Sequence, residues 1–110
     1  MSDKTKKFND IFKDKYVFIS FGDREHYFLK CEHVSLSLNF MTFYYTPKKY
    51  VSVATIDENV EICLVDDMVK YNLKKFVDNW KSGEKTIFGD MTELLKKYED
   101  IIKAIEIGIL

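Results

Sequence analysis

Apolar residues in the first part of the chain change period twice, and each change marks a predicted element. Phe8, Ile11 and Phe12 recur on one helical face, with Lys6, Lys7, Asp10 and Lys13 pointing elsewhere, which predicts a short amphipathic helix. From Tyr16 to Phe21 the residues are β-branched or aromatic at both parities, as in a strand covered on two sides, and Gly22-Asp23 supplies a turn. Tyr27, Leu29 and Cys31 then alternate with Lys30 and Glu32, the period of a strand with one packed and one wet face, and His33 continues the packed face. Val34, Leu36, Leu38 and Phe40 alternate with Ser35, Ser37 and Asn39, but Met41, Phe43 and Tyr45 take the opposite parity. One extra residue reverses every later side chain, so the slip near Phe40 predicts a bulge or sharp bend.

Pro47-Lys48-Lys49 reads as a turn, Tyr50 to Ile56 as a strand, Asp57-Glu58-Asn59 as a second turn and Val60 to Val65 as the last strand. Asp66 or Asp67 is placed to cap a helix with Val69, Leu73, Phe76, Val77 and Trp80 on one face, ended by Gly83. In the final segment Asp90 and Glu93 have capping-box spacing, Met91, Leu94, Leu95, Tyr98, Ile101, Ile102 and Ile105 form a stripe, and Gly108 stops the helix. Burying that stripe contributes about 10–20 kcal/mol gross, far more than an isolated helix of this length gains in water. Glu93 to Lys97 and Glu99 to Lys103 mark its solvated side. The fold class is therefore α+β: an antiparallel four- to five-stranded meander, a short N-terminal helix, and two C-terminal helices packed on one face. Residues 1–110 make a single domain.

Charge narrows the functional classes. Lys and Arg number 17 against 18 Asp and Glu, which removes the field that holds a polyanion, and Arg24 is the sole arginine, so bidentate phosphate contacts are scarce. Nucleic acid is thus a disfavoured partner, although Phe43, Tyr44, Tyr45 and Tyr50 beside Lys48 and Lys49 have the chemistry of a base-stacking surface. No apolar run has the roughly 20 residues that span a bilayer, and Met1 to Lys7 is polar, which together predict a cytoplasmic protein with no membrane partner. Charge is most uneven from Tyr50 to Val69, where Asp57, Glu58, Glu61, Asp66 and Asp67 occur with no Lys or Arg. Two acidic rims joined by an outward Glu61 would suit a partner with a basic surface.

Candidate chemistry is sparse. Cys31, His33 and Cys63 are zinc-ligand types, but no paired Cys-x-x-Cys or His-x-x-x-His frame accompanies them, so no metal or cofactor is expected and the thiols read as buried. Cys31 and His33 share a strand face but stand roughly 7 Å apart, too far for a nucleophile–base pair. Asp23, Arg24, Glu25 and His26 hold the minimum kit for proton transfer, and a pocket around Asp23 to His33 is the basis of the alternative reading, a small enzyme or ligand sensor. Four dispersed glycines make no phosphate loop, and no Gly-x-Ser-x-Gly elbow occurs.

The order helix, meander, two helices resembles the layout of small phage-encoded anti-CRISPR inhibitors and of some bacterial toxin-immunity proteins, and the Lys, Ile, Asn and Asp bias suits a low-GC bacterium or its phage. What the resemblance implies is a non-enzymatic inhibitor that blocks the surface of a partner protein. Tyr44, Tyr45 and Tyr50 are then the expected anchors, and Asp57, Glu58, Glu61, Asp66 and Asp67 the acidic contacts. The apolar Leu36 to Tyr45 strand is also a candidate seam for a homodimer.

Overall fold

Tyr16–Phe21 has large apolar residues at both parities, and in the computed structural model, which describes residues 3–22, 25–82 and 85–110, both faces of this strand are covered. Helix α1 spans Asp3–Phe12, followed by strands β1 (Tyr16–Phe21), β2 (His26–Lys30), β3 (His33–Leu36), β4 (Phe40–Tyr44), β5 (Tyr50–Ala54) and β6 (Val60–Leu64). Helices α2 (Val65–Tyr71) and α3 (Leu73–Lys81), strand β7 (Lys85–Phe88), and helices α4 (Thr92–Lys97) and α5 (Glu99–Glu106) complete the chain. The α+β class holds, and its strands divide into a four-stranded sheet, β6-β1-β2-β7, and a three-stranded antiparallel meander, β3-β4-β5.

The four-stranded sheet lies between two covering layers. On one face Phe18 and Phe28 meet Val65, Met68, Phe76, Val77, Trp80, Met91, Leu94, Ile102 and Ile105 from the helices. On the other, Val17, Ile19, Leu29 and Cys31 meet Phe12 of α1 and Val34, Phe43 and Val53 of the meander. The expected wet face of β2 is therefore covered: Phe28 is fully buried, with its ring 5.1 Å from Trp80 and 6.2 Å from Phe76. Two residues of alternation on the β2 segment gave too little pattern to reveal the helices above it.

The chain leaves the four-stranded sheet at Cys31 and Glu32, and this crossing explains His33. Its parity follows a new strand in the other sheet, so it stacks on Tyr44 at 4.3 Å instead of continuing the packed face. The slip near Phe40 is likewise a complete reversal rather than a bulge. Residues 37–39 close the β3–β4 hairpin, where Ser37 N donates to Phe40 O, and inward Val34 and Leu36 stand opposite inward Phe43 and Met41. The strand proposed as a dimer seam becomes β4, whose two edges are occupied by β3 and β5. Edge pairing there is excluded.

The helical segments are also more broken than their stripes implied. β6 runs directly into α2 with Leu64 as N-cap, so Asp66 and Asp67 occupy the first turn rather than the cap. Asn72 ends α2 and accepts from Lys75 N to start α3, and the break leaves Leu73 partly exposed. Asp90 accepts from Thr92 N at 3.0 Å, an Asx turn in place of the capping box, and the last helix divides at Tyr98. Leu95 falls off the buried stripe. Gly108, at φ +82°, ends α5 as expected, whereas Asp23 and Gly83 lie outside the described residues. Strand β7, not anticipated, pairs in parallel with β2, and Gly89 at φ +80° turns the chain from it toward α4.

One edge of the meander is closed by a side chain. The Asn9 carboxamide donates to Val34 O at 2.9 Å and accepts from Val34 N at 2.7 Å, standing in for a further strand. Asn9→Leu is expected to cost about 1–3 kcal/mol by leaving these backbone groups unmatched, and Phe28→Ala about 3–5 kcal/mol through the cavity it creates. Urea denaturation of each variant, with m unchanged, measures both.

Candidate functional site

Strand alternation decides the fate of the reactive side chains. Cys63 stands opposite Phe18 across β6 and β1 and packs with the helix-side core, whereas Cys31 lies in the core on the meander side. His33 stands on the outer surface of the meander against Tyr44. The two thiols are unpaired on opposite faces of one sheet, and among the described residues no group of His, Cys, Asp and Glu is placed to hold a metal ion. Burial, with Asp14 and Glu32 adding to it, pushes the Cys31 thiol up to about 12, and burial raises Cys63 in the same direction.

Of the proton-transfer residues, Asp23 and Arg24 lie outside the described residues, while His26 is drawn into the sheet. In register, Glu61, Ser20, His26 and Lys85 form a polar row across β6, β1, β2 and β7. Ser20 Oγ is 3.1 Å from Gly22 O and 3.0 Å from His26 Nδ1, the direction of the second hydrogen bond being set by the histidine tautomer. Ser20 is thus a buried polar group with hydrogen-bond partners on both sides. A groove of about 740 Å³ lies elsewhere, on the opposite side of the sheet, lined by Phe8, Leu36, Met41, Val53, Val60 and Ile62 with Lys4 and Asp57 also at its walls.

The acidic run also disperses. Glu61, expected to face outward, has helix-side parity and pairs with Lys75 of α3. Asp66 pairs with Lys97 at 3.0 Å and accepts from the Tyr98 hydroxyl; burial opposes its ionisation, but these partners outweigh burial and hold the carboxyl below its ordinary range. Asp57 and Glu58 are exposed on the turn after β5, and Asp67 is exposed on α2 near Cys63, so the five acids form no common face.

The tyrosines divide by face. Tyr45 packs inward, its ring stacked on Phe88 at 4.5 Å, and Phe88 in turn stacks on Tyr27 at 5.6 Å. Phe43 is fully buried. Tyr44 and Tyr50 share the outer face of the meander with His33, in a row across all three strands: His33 to Tyr44 at 4.3 Å, Tyr44 to Tyr50 at 5.3 Å. Below it runs a hydroxyl row of Ser35, Thr42 and Ser52, with Thr42 Oγ1 and Ser52 Oγ 2.9 Å apart, and then Phe40 opposite Ala54. The strands read HVSL, FMTFY and YVSVA, without a single Lys, Arg, Asp or Glu. His33 and Phe40 were missed as members of this surface, and the absence of charge across three strands was the available signal.

No family model, curated protein or solved structure matches the chain. Among the described residues no helix is long and apolar enough to cross a membrane.

The Cys31 thiol yields a pH prediction. Its proton stays bound in the fold over a range where the unfolded chain has lost it, so its share of stability is complete below about pH 9 and drains away as pH rises toward 12. The slope reaches at most about 1.4 kcal/mol per pH unit. Cys31→Ala should be less stable than the parent at pH 8 and lose less between pH 8 and 10.5, as read by urea denaturation at the two values.

Proposed function

We propose that the protein is a non-enzymatic binding module that acts by covering a surface of a partner protein, with the outer face of β3-β4-β5 as its contact surface. The observation that supports this is the uncharged face itself. In a chain that is 32% charged, a whole sheet surface offers stacked aromatic rings, hydroxyls and no ion. Rigid aromatics that are partly exposed contribute most of the energy in protein interfaces at little cost in side-chain entropy, and hydroxyls desolvate more cheaply than charges. Tyr44 and Tyr50 are the anchors, with His33 and Phe40 beside them, while Tyr45 is turned inward against Phe88.

The acidic share of the contact narrows to Asp57 and Glu58 at one rim, since Glu61 and Asp66 already have lysine partners and Asp67 stands on α2 rather than on the meander. Blocking a partner in this way is inhibition by occlusion and needs no cofactor. The cytoplasm is the proposed setting, in keeping with two unpaired thiols on opposite faces of a sheet.

Cross-linking of the full chain in host lysate, with mass spectrometry, identifies the partner, and titration of the purified pair then tests the surface. Tyr44→Ala and Tyr50→Ala should each weaken binding roughly 30-fold, about 2 kcal/mol, while Glu61→Gln stays within about threefold. Parental affinity in both tyrosine variants would remove this face from the interface.

A further inference from the structure

We infer that the groove between α1, the inner face of the meander and strand β6 is a binding site for a long-chain fatty acid, with the alkyl tail seated among the apolar walls and the carboxylate held by Lys4. The meander-side core has an inlet at this point. In one inward row of the meander, Val34 and Phe43 are buried against Phe12, whose ring meets that of Phe43 at 5.3 Å. In the next row Leu36, Met41 and Val53 stand side by side across β3, β4 and β5. Phe8 of α1 and Val60 and Ile62 of β6 belong to the same core cluster, yet these three, with Leu36 and Met41, are only half-buried, and about 740 Å³ of open space lies between them. Protein interiors are otherwise filled to the density of organic crystals. A space of this size with apolar walls from α1, β3, β4, β5 and β6 has the dimensions of a small-molecule site.

Apolar surface continues past the walls of the groove to its rim. Leu38 is 93% exposed on the β3–β4 hairpin and also lines the groove. Ile56 is 88% exposed on the turn after β5, between Thr55 and Asp57 of the groove wall. The two tips are tied together where Thr55 N donates to Asn39 O at 2.9 Å. Two aliphatic side chains in water beside an apolar groove are placed to meet an alkyl chain as it enters.

Charge selects the head group. Among the described residues Lys4, in the first turn of α1, is the one cation lining the groove, and it has no carboxylate partner. Asp57, the one anion on the wall, is committed to its own turn, where Oδ1 accepts from Asn59 N at 2.9 Å. The unpaired charge beside the apolar space is therefore positive, which fits a single-tailed monocarboxylate better than a cationic amphiphile. The groove lies on the inner side of the meander, away from Tyr44 and Tyr50, so this site does not rest on the partner-binding proposal.

Isothermal titration calorimetry of the full chain with octanoate, decanoate and dodecanoate, each below its micellar concentration, tests the site. Dodecanoate is expected to bind once per chain at roughly 10–100 µM, and each added CH2 to tighten binding roughly two- to fourfold. Lys4→Gln should weaken dodecanoate roughly threefold at low salt without weakening dodecyltrimethylammonium. Met41→Trp, which fills the groove, should weaken dodecanoate roughly tenfold or more. Far-UV circular dichroism and Tm verify that both variants stay folded, and the chain-length and head-group series on the parent decides the question independently of either variant. No saturable dodecanoate binding, an affinity indifferent to chain length, tighter binding of dodecyltrimethylammonium than of dodecanoate, or parental affinity in Lys4→Gln or in folded Met41→Trp would each overturn the site. Attachment of the chain to phosphatidylcholine vesicles with no dodecanoate bound would assign Leu38 and Ile56 to a lipid surface and overturn it equally.

Discussion

β1 buries Phe18 on one face and Val17 and Ile19 on the other, all without solvent exposure, and this double burial obliges the chain to supply a covering layer on each side of the sheet. Each such side chain contributes about 1.5–3 kcal/mol when fully buried. Neighbouring β2 adds Phe28 to one face and Leu29 to the other. The helices α2 to α5 answer the first requirement, and α1 with the β3-β4-β5 meander answers the second. A single helical layer would leave Val17, Ile19 and Leu29 in water.

Two consequences for function follow from this layering. Alternation assigns Cys31 and Cys63 to opposite faces of the sheet, and the crossing between sheets at Cys31 and Glu32 sends His33 to a third surface, so groups of catalytic or metal-binding type are dispersed by geometry. The meander, in turn, covers the sheet with one face and has no core residue to cover with the other. An antiparallel sheet in that position ordinarily presents charged side chains to water; here the outer positions hold His33, Tyr44, Tyr50, Phe40 and three hydroxyl residues. At the edges of the meander the Asn9 carboxamide satisfies Val34 of β3, and Asp57 N meets Ala54 O where β5 ends.

Much of the fold was legible because periodicity reports burial directly. The two-sided β1, the strand that starts at Tyr50, the α1 face through Phe8 and Phe12, and the core positions Phe76, Val77, Trp80, Leu94, Ile102 and Ile105 all stand as their spacing implied. Tyr44, Tyr45 and Tyr50 were named together for their aromatic chemistry, and the fold separates them, with Tyr44 beside Tyr50 and Tyr45 against Phe88. Less was legible where a segment was short or a turn reset the phase. β7 has four residues and only one apolar alternation, so its pairing with β2 had no local signature. Tyr45 looked equivalent to Tyr44, but the residue that turns it inward is Phe88, more than forty positions away.

The linear order of apolar and polar residues settles which elements form and which of their sides must be dry, because those properties arise from neighbours within a turn of helix or a few residues of strand. It also settles the neutral composition of the meander strands. Which strands share a sheet, which acids find a lysine, and which edge a side chain closes are decided by contacts between distant segments. Glu61 is quenched by Lys75, Asp66 by Lys97, and the β3 edge by Asn9, each through a meeting that exists only once the layers have closed.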